Sequence, residues 1–220
     1  MTNAVTNHID IYCERTGPEF WAEPVNALTN LSFLVAAFFL GIKARNYNVL
    51  NIHMVVLIAL VAGIGTGSFL FHTKAVFWAM MSDVIPIMLF QIYFLYVYSR
   101  WVLGLTHLQS AILPAVFIVL TTIVGMIPGD KLNGSLGYAP SLILLLAVGA
   151  YHLKKGYAGG RYFLAAACIF PTSLFFRTID EMFCPAFSQG THFMWHILNG
   201  LVLFLLVFSL IQYQKERIRI

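Results

Sequence analysis

Thr191-His192-Phe193-Met194-Trp195-His196 opens the last long apolar run of the chain, which continues from Ile197 to Tyr213. About 20 mostly apolar residues cross a bilayer as a helix, so this stretch reads as a membrane span and sets the fold class. Its two histidines stand four apart. On a helix that spacing puts both imidazoles on one face, about 5–6 Å apart at Cβ. Two such rings can share a Zn²⁺ at roughly 2.0–2.1 Å from each nitrogen. Polar groups inside a membrane are costly and usually functional. Two readings of the pair stand: half of a metal site, or two interfacial histidines facing headgroups and backbone carbonyls. A third ligand from elsewhere in the chain decides between them.

Working outward, the whole composition agrees with a membrane protein. The 220 residues are 60% hydrophobic and only 10% charged, with a mean hydropathy of +0.81, where a soluble domain carries about 25% charged residues. No polar stretch is long enough for a separate soluble domain, so residues 1–220 are expected to form a single membrane domain. Met1 to Asp10 lacks a basic segment followed by an apolar core, so no cleavable signal peptide is expected. The net charge of +4 reads as basic cytoplasmic loops and not as a nucleic-acid surface.

Seven apolar segments are long enough to be candidate spans: Pro24–Lys43, Leu50–Phe71, Val76–Ser99, Leu108–Ile127, Tyr138–Leu153, Arg161–Arg177 and His192–Tyr213. The expected fold is an all-α, seven-transmembrane helix bundle. The second and third spans are joined tightly near Thr73-Lys74, and Pro171 can kink the sixth. With the N-terminus outside and the C-terminus inside, Lys43, Arg45, Arg100, Lys154, Lys155, Arg161, Lys215, Arg217 and Arg219 lie inside, against Arg15, Lys74, Lys131 and Arg177 outside. That is the positive-inside asymmetry. Every acid except Glu216 falls outside or near an outer span end, Asp130 among them, although acids do not set topology. A cation site on the outer side would explain the skew.

This topology brings distant polar groups to one depth. Ser68 and His72 end the second span, four apart and so on one face. Asp83 lies about two turns into the third. His192 and His196 open the seventh. Three histidines with an open fourth position form the pattern of a catalytic zinc site, where bound water has its pKa lowered to about 7. Asp83 is then placed as general base and Ser68 as hydrogen-bond donor to a developing oxyanion. The alternatives remain open here: an interfacial His72, and Asp83 as structural partner of Lys74 or Arg177. Gly63 and Gly67 read as close-packing positions. Arg177 and Asp180, three apart, are expected to pair across a helix end. His8, His53, His107 and His152 read as interfacial.

Two features belong to the outer segments. Cys13 and Cys184 both lie outside, in an oxidising compartment, and are expected to form a disulfide with Cys168 free; two free thiols are the alternative. The acidic segment Asp10-Ile11-Tyr12-Cys13-Glu14 to Asn26 offers carboxylate and amide oxygens of the kind that suit Ca²⁺, or else is a solvated acidic loop.

The ordered set Tyr12-Cys13-Glu14, Glu23-Pro24-Val25-Asn26, Ser68 with His72, Asp83, Arg177-Thr178-Ile179-Asp180 and His192-Phe193-Met194-Trp195-His196 resembles the alkaline ceramidases. These lie within the seven-span metal-dependent hydrolases that also include the progestin and adiponectin receptors. The resemblance runs from Tyr12 into the seventh span. It implies a zinc amidohydrolase that cleaves the N-acyl bond of ceramide to fatty acid and sphingoid base. In that reading His72, His192 and His196 hold Zn²⁺, Asp83 activates water and Ser68 steadies the oxyanion. It also implies a calcium site at Glu14, Glu23 and Asn26. There the chain departs from the family, with Ile11 where the animal enzymes carry an acid and Thr16 where they carry an asparagine. The short tail and small loops resemble a bacterial member, in the cell membrane with its site near the outer face and a ceramide or other N-acyl lipid as substrate. A seven-span lipid receptor with a structural zinc is the alternative. A retinal-type pump is excluded because Leu201 to Tyr213 contains no lysine, and a transporter is disfavoured by the lack of a repeat.

Overall fold

The computed structural model describes residues 8–127 and 131–218; Asp130 and Arg219, used above in reading charge, lie outside them. The described residues are helical with no strand. The order is α1 (Pro24–Thr29), α2 (Leu31–Asn46), α3 (Ile52–Lys74), α4 (Phe77–Trp101), α5 (Ile112–Gly125), α6 (Ala139–Lys154), α7 (Gly160–Phe183) and α8 (His192–Ile218). Short 3-10 turns at Gln109–Ala111 and Lys131–Tyr138 precede α5 and α6.

Local chemistry sets these boundaries. Pro24 sits in the first turn of α1, where a missing N–H costs nothing, and both oxygens of Glu14 accept the free N–H groups of Val25 and Asn26, each at 2.8 Å. The Asn51 side chain caps α3 by accepting from His53 and Met54 N–H. Ala75 takes the left-handed conformation, φ 47°, and turns α3 directly into α4. The expected tight hairpin is therefore present.

Six helical segments are long and apolar enough to cross a membrane, with α1 and α2 counted together as Pro24–Asn46. The fourth expected span, Leu108–Ile127, is a shorter helix, Gln109–Gly125. It is trimmed because Thr106 and Gln109 side chains bond each other's backbone in a turn, and because the helix stops at Gly125. The sixth span is longer than expected. α7 runs through Pro171 to Phe183, which carries Arg177 and Asp180 on the helix and not past its end.

α3 packs on α2 and α4, α7 on α6 and α8, and α8 also on α2. Leu40, Met54, Leu57, Phe163, Leu210 and Ile211 are fully buried between them. Leu31, Phe38, Ile143 and Leu146 point outward and are exposed, an apolar belt that marks a membrane surface. Glycines set the closest approaches. A Cβ on Gly65 would lie 2.8 Å from Phe33 Cβ, and one on Gly67 would lie 1.8 Å from the carbonyl oxygen of Ser82. Gly63, expected to be a close-packing position, is looser: a Cβ there meets only Pro86 at 3.9 Å.

Candidate metal centre

His72 near the end of α3, Asp83 near the start of α4, and His192 and His196 in the first turns of α8 meet at one end of the bundle. The three histidines are each 1% exposed. Their ring centroids lie 5.3 Å (His72–His192), 4.7 Å (His72–His196) and 4.7 Å (His192–His196) apart. Each offers a nitrogen, and these atoms lie within 4.8 Å of one another.

Neighbouring groups fix which nitrogens are free. His72 Nδ1–H donates to Glu23 Oε2 at 2.6 Å, which leaves Nε2 for a ligand; that atom is buried and has no protein partner. Thr29 Oγ1 donates to the carbonyls of Val25 and Asn26. Its oxygen is thus left to accept from His196 Nδ1–H at 3.1 Å, and His196 Nε2 is free. His192 Nδ1 is also buried without a partner. A carboxylate or hydroxyl behind the imidazole is the usual support of a metal-ligating histidine. Orphaned imidazole nitrogens in a dry interior are otherwise rare. The donor set therefore fits a metal ion, and three neutral imidazoles suit zinc.

Asp83 and Ser68 adjoin one another beside His72. Gly67 makes this possible, because its missing side chain lets α3 touch the α4 backbone at Ser82-Asp83. Asp83 forms a close ion pair with neither of the basic residues considered for it, although the Arg177 charge acts on it from further away. Lys74 lies over the Phe20 ring. Arg177 bonds the Asn133 carbonyl and Ser135 Oγ and sits over the rings of Tyr138 and Trp195. Among the described residues Arg15–Glu23 is the ion pair, and Glu23 also accepts the hydrogen bond from His72.

Asp180 corrects a second expectation. It does not pair with Arg177. Fully buried, it accepts the N–H groups of Thr191 at 2.6 Å, His192 at 2.8 Å and Cys13 at 3.0 Å. It thereby caps α8 at the turn that carries His192 and anchors the N-terminal segment beside it. Gly190 is required there. Its φ is +61°, and a Cβ would lie 2.2 Å from Asp180 Oδ1 and 2.5 Å from Cys13 Cβ. Sequence reasoning missed both roles, since an acid that serves backbone amides leaves no charged partner to find.

The N-terminal segment is a strap across this end. Cys13 and Cys184 form a disulfide across 171 residues of sequence, and Cys168 is free. Tyr12 stacks on His192 with centroids 3.7 Å apart, and burial raises its phenol above the usual value, so it stays neutral. Arg15, only 5% exposed, donates to Glu23 at 2.6 Å, to the Gly17 carbonyl and to the His72 carbonyl at 2.8 Å. Burial alone would raise the Glu23 carboxyl. His72 and the Arg15 guanidinium outweigh it and hold the group below the usual carboxylate range.

These contacts do not fit calcium at Glu14, Glu23 and Asn26. Both oxygens of Glu14 serve α1, and both of Glu23 serve Arg15, His72 and the Asn26 amide. Asn26 Oδ1 is the one open acceptor of the three side chains, where Ca²⁺ takes roughly six to eight oxygens. The positive charge is supplied by Arg15.

An apolar helical bundle gathers at one end three imidazoles that could hold a metal ion, with a carboxylate and a hydroxyl beside them, and defines a membrane protein. The model of the ceramidase family matches residues 4–218, and the chain belongs to that family. It is therefore a membrane hydrolase of the ceramidase type, a class that acts on amide bonds. Comparison with curated proteins finds no match.

Proposed function

We propose that the protein is a zinc-dependent amidohydrolase that cleaves the N-acyl amide of ceramide or a related N-acyl lipid to a fatty acid and an amine. The observation that carries this reading is the set of imidazole nitrogens from α3 and α8 left without protein partners, with Asp83 and Ser68 alongside. His72, His192 and His196 are the metal ligands. A bound Zn²⁺ supplies a Lewis acid and lowers the pKa of adjacent water towards about 7.

The chain supplies the rest. Asp83 takes a proton from the attacking water as its oxygen bonds to the acyl carbon, and returns the proton to the nitrogen as the C–N bond breaks. Ser68 Oγ–H donates to the carbonyl oxygen as it gains charge. Tyr12 and the strap exclude bulk water from the outer end. The acyl chain lies in the apolar cavity that opens beneath the site between Trp195, Tyr138 and Phe33.

The reading places the site near the outer face of a seven-span bundle, N-terminus outside. Two contacts support the odd number. Tyr138, at the start of α6, packs on Trp195 near the site, with centroids 4.8 Å apart. At the opposite end Arg217 donates to the carbonyl of Trp101, which closes α4. These contacts support a return of the chain across the bundle between α4 and α6, a crossing that we assign to α5. Single cysteines at Leu108 and Met126 labelled by a membrane-impermeant reagent in intact cells are expected to differ, with only Met126→Cys reacting. Labelling of both, or of neither, overturns the seventh crossing.

The enzyme reading is tested on purified protein. About one zinc per chain and release of fatty acid from an N-acyl lipid are expected for the wild type, with both lost in His196→Ala. Hydrolysis that persists in His196→Ala overturns it.

A further inference from the structure

The cavity beneath the histidines has a volume of about 110 Å³ and a wall formed largely by apolar side chains such as Ile64, Ile87, Phe90 and Leu203. Asn199 interrupts that wall. It is 8% exposed, and its Nδ2 is fully buried with no hydrogen-bond acceptor. Buried amides are nearly always partnered, and lipid offers no substitute partner. A polar side chain kept in such a place points to function.

Its depth is fixed by three helices. Asn199 follows His196 by three residues on α8, about 4.5 Å along the axis. Ile64 precedes Ser68 by four on α3, and Ile87 follows Asp83 by four on α4. All three line the cavity, so the Asn199 amide lies one turn below the groups that would hold the scissile carbonyl. Beyond it the wall is mostly apolar, at Val148 and Leu206, with Gln91 one turn past Ile87 on α4. The missing partner is therefore flanked by apolar chain on both sides and is not a headgroup.

We propose that Asn199 is a specificity-determining residue that selects N-acyl lipids with a hydroxyl on the acyl chain, within the first few carbons of the amide carbonyl. The proposal rests on the amidase reading above and names its substrate class. A carboxamide donates through Nδ2 and accepts through Oδ1, and a hydroxyl accepts and donates in return. A chain of plain methylenes satisfies neither atom. Gln91 and Ser141 lie on the same wall and add polar points for an oxygen at a neighbouring carbon.

The test compares N-acyl lipids of equal chain length with and without a 2- or 3-hydroxyl, and the matching free fatty acids as binding probes. For the wild type, kcat/KM is expected to favour one hydroxylated amide by roughly tenfold, the effect of one neutral hydrogen bond. The matching hydroxy acid is expected to raise Tm more than the plain acid. Asn199→Leu removes both differences, and Asn199→Ala does the same without adding bulk. Equal rates and equal Tm shifts in the wild type overturn the proposal, as does a preference that survives in both variants. If no amide is cleaved yet the Asn199-dependent Tm difference remains, the amidase reading fails and the hydroxyl-selective cavity stands.

Discussion

The bundle buries histidines at both ends, and the two ends are built on opposite principles. At the end away from the candidate metal centre, His152 is fully buried in a cage of Tyr98, Tyr157, Phe163 and Tyr213. Both of its nitrogens are partnered, Nδ1 with Tyr98 Oη at 3.3 Å and Nε2 with the Ala158 carbonyl at 2.9 Å. At the metal-centre end His72 Nε2 and His192 Nδ1 are equally buried and have none. Burial does not separate a structural histidine from a functional one; the unspent nitrogen does. The sequence reading of His152 as interfacial is corrected by this cage, which α7 and α8 complete around it.

The largest effect that would break this contrast belongs to Asp83. Asp83→Asn keeps the imidazoles and their supports but cannot take a proton. We expect kcat to fall by about 10²–10⁴-fold with zinc content unchanged by metal analysis; turnover near wild type would remove Asp83 from the reaction. Glu23→Gln comes next. It weakens the support behind His72 Nδ1 and leaves Arg15 buried without its carboxylate, so zinc affinity in a chelator competition should drop by roughly 10–100-fold. An unchanged affinity would mean that Glu23 serves the strap alone. The smallest effect on chemistry is at the His152 end. His152→Leu should keep zinc and kcat while lowering stability by about 1–3 kcal/mol, because Tyr98 Oη and the Ala158 carbonyl lose their partner. A loss of zinc in that variant would erase the distinction between the two ends.

How legible each end was follows from how its groups find their partners. The three clustered histidines could be read because two of them share one helix face and the third is placed at the same depth by the order of apolar runs. Asp83 could be read because an acid inside an apolar span demands an explanation. Asp180 could not. Its partners are backbone amides in the turn ahead of α8 and in the N-terminal strap, and no pattern of side chains reports them. Arg15 was hidden in the same way: it reads as one outer basic residue, yet it fills the place where the acidic segment suggested an ion. The α5 helix fell short of its expected length because turn-forming Thr106 and Gln109 act before the apolar run begins. Hydropathy weighs residues singly and does not register such a turn.

The strap also makes the candidate metal centre depend on segments far apart in the chain. Cys13 is bonded to Cys184 across 171 residues of sequence, and the Asp180 that accepts from the Cys13 amide also accepts from the N–H of His192. The strap and the first turn of α8 are therefore held by one shared carboxylate and one disulfide, so neither can settle in place without the other.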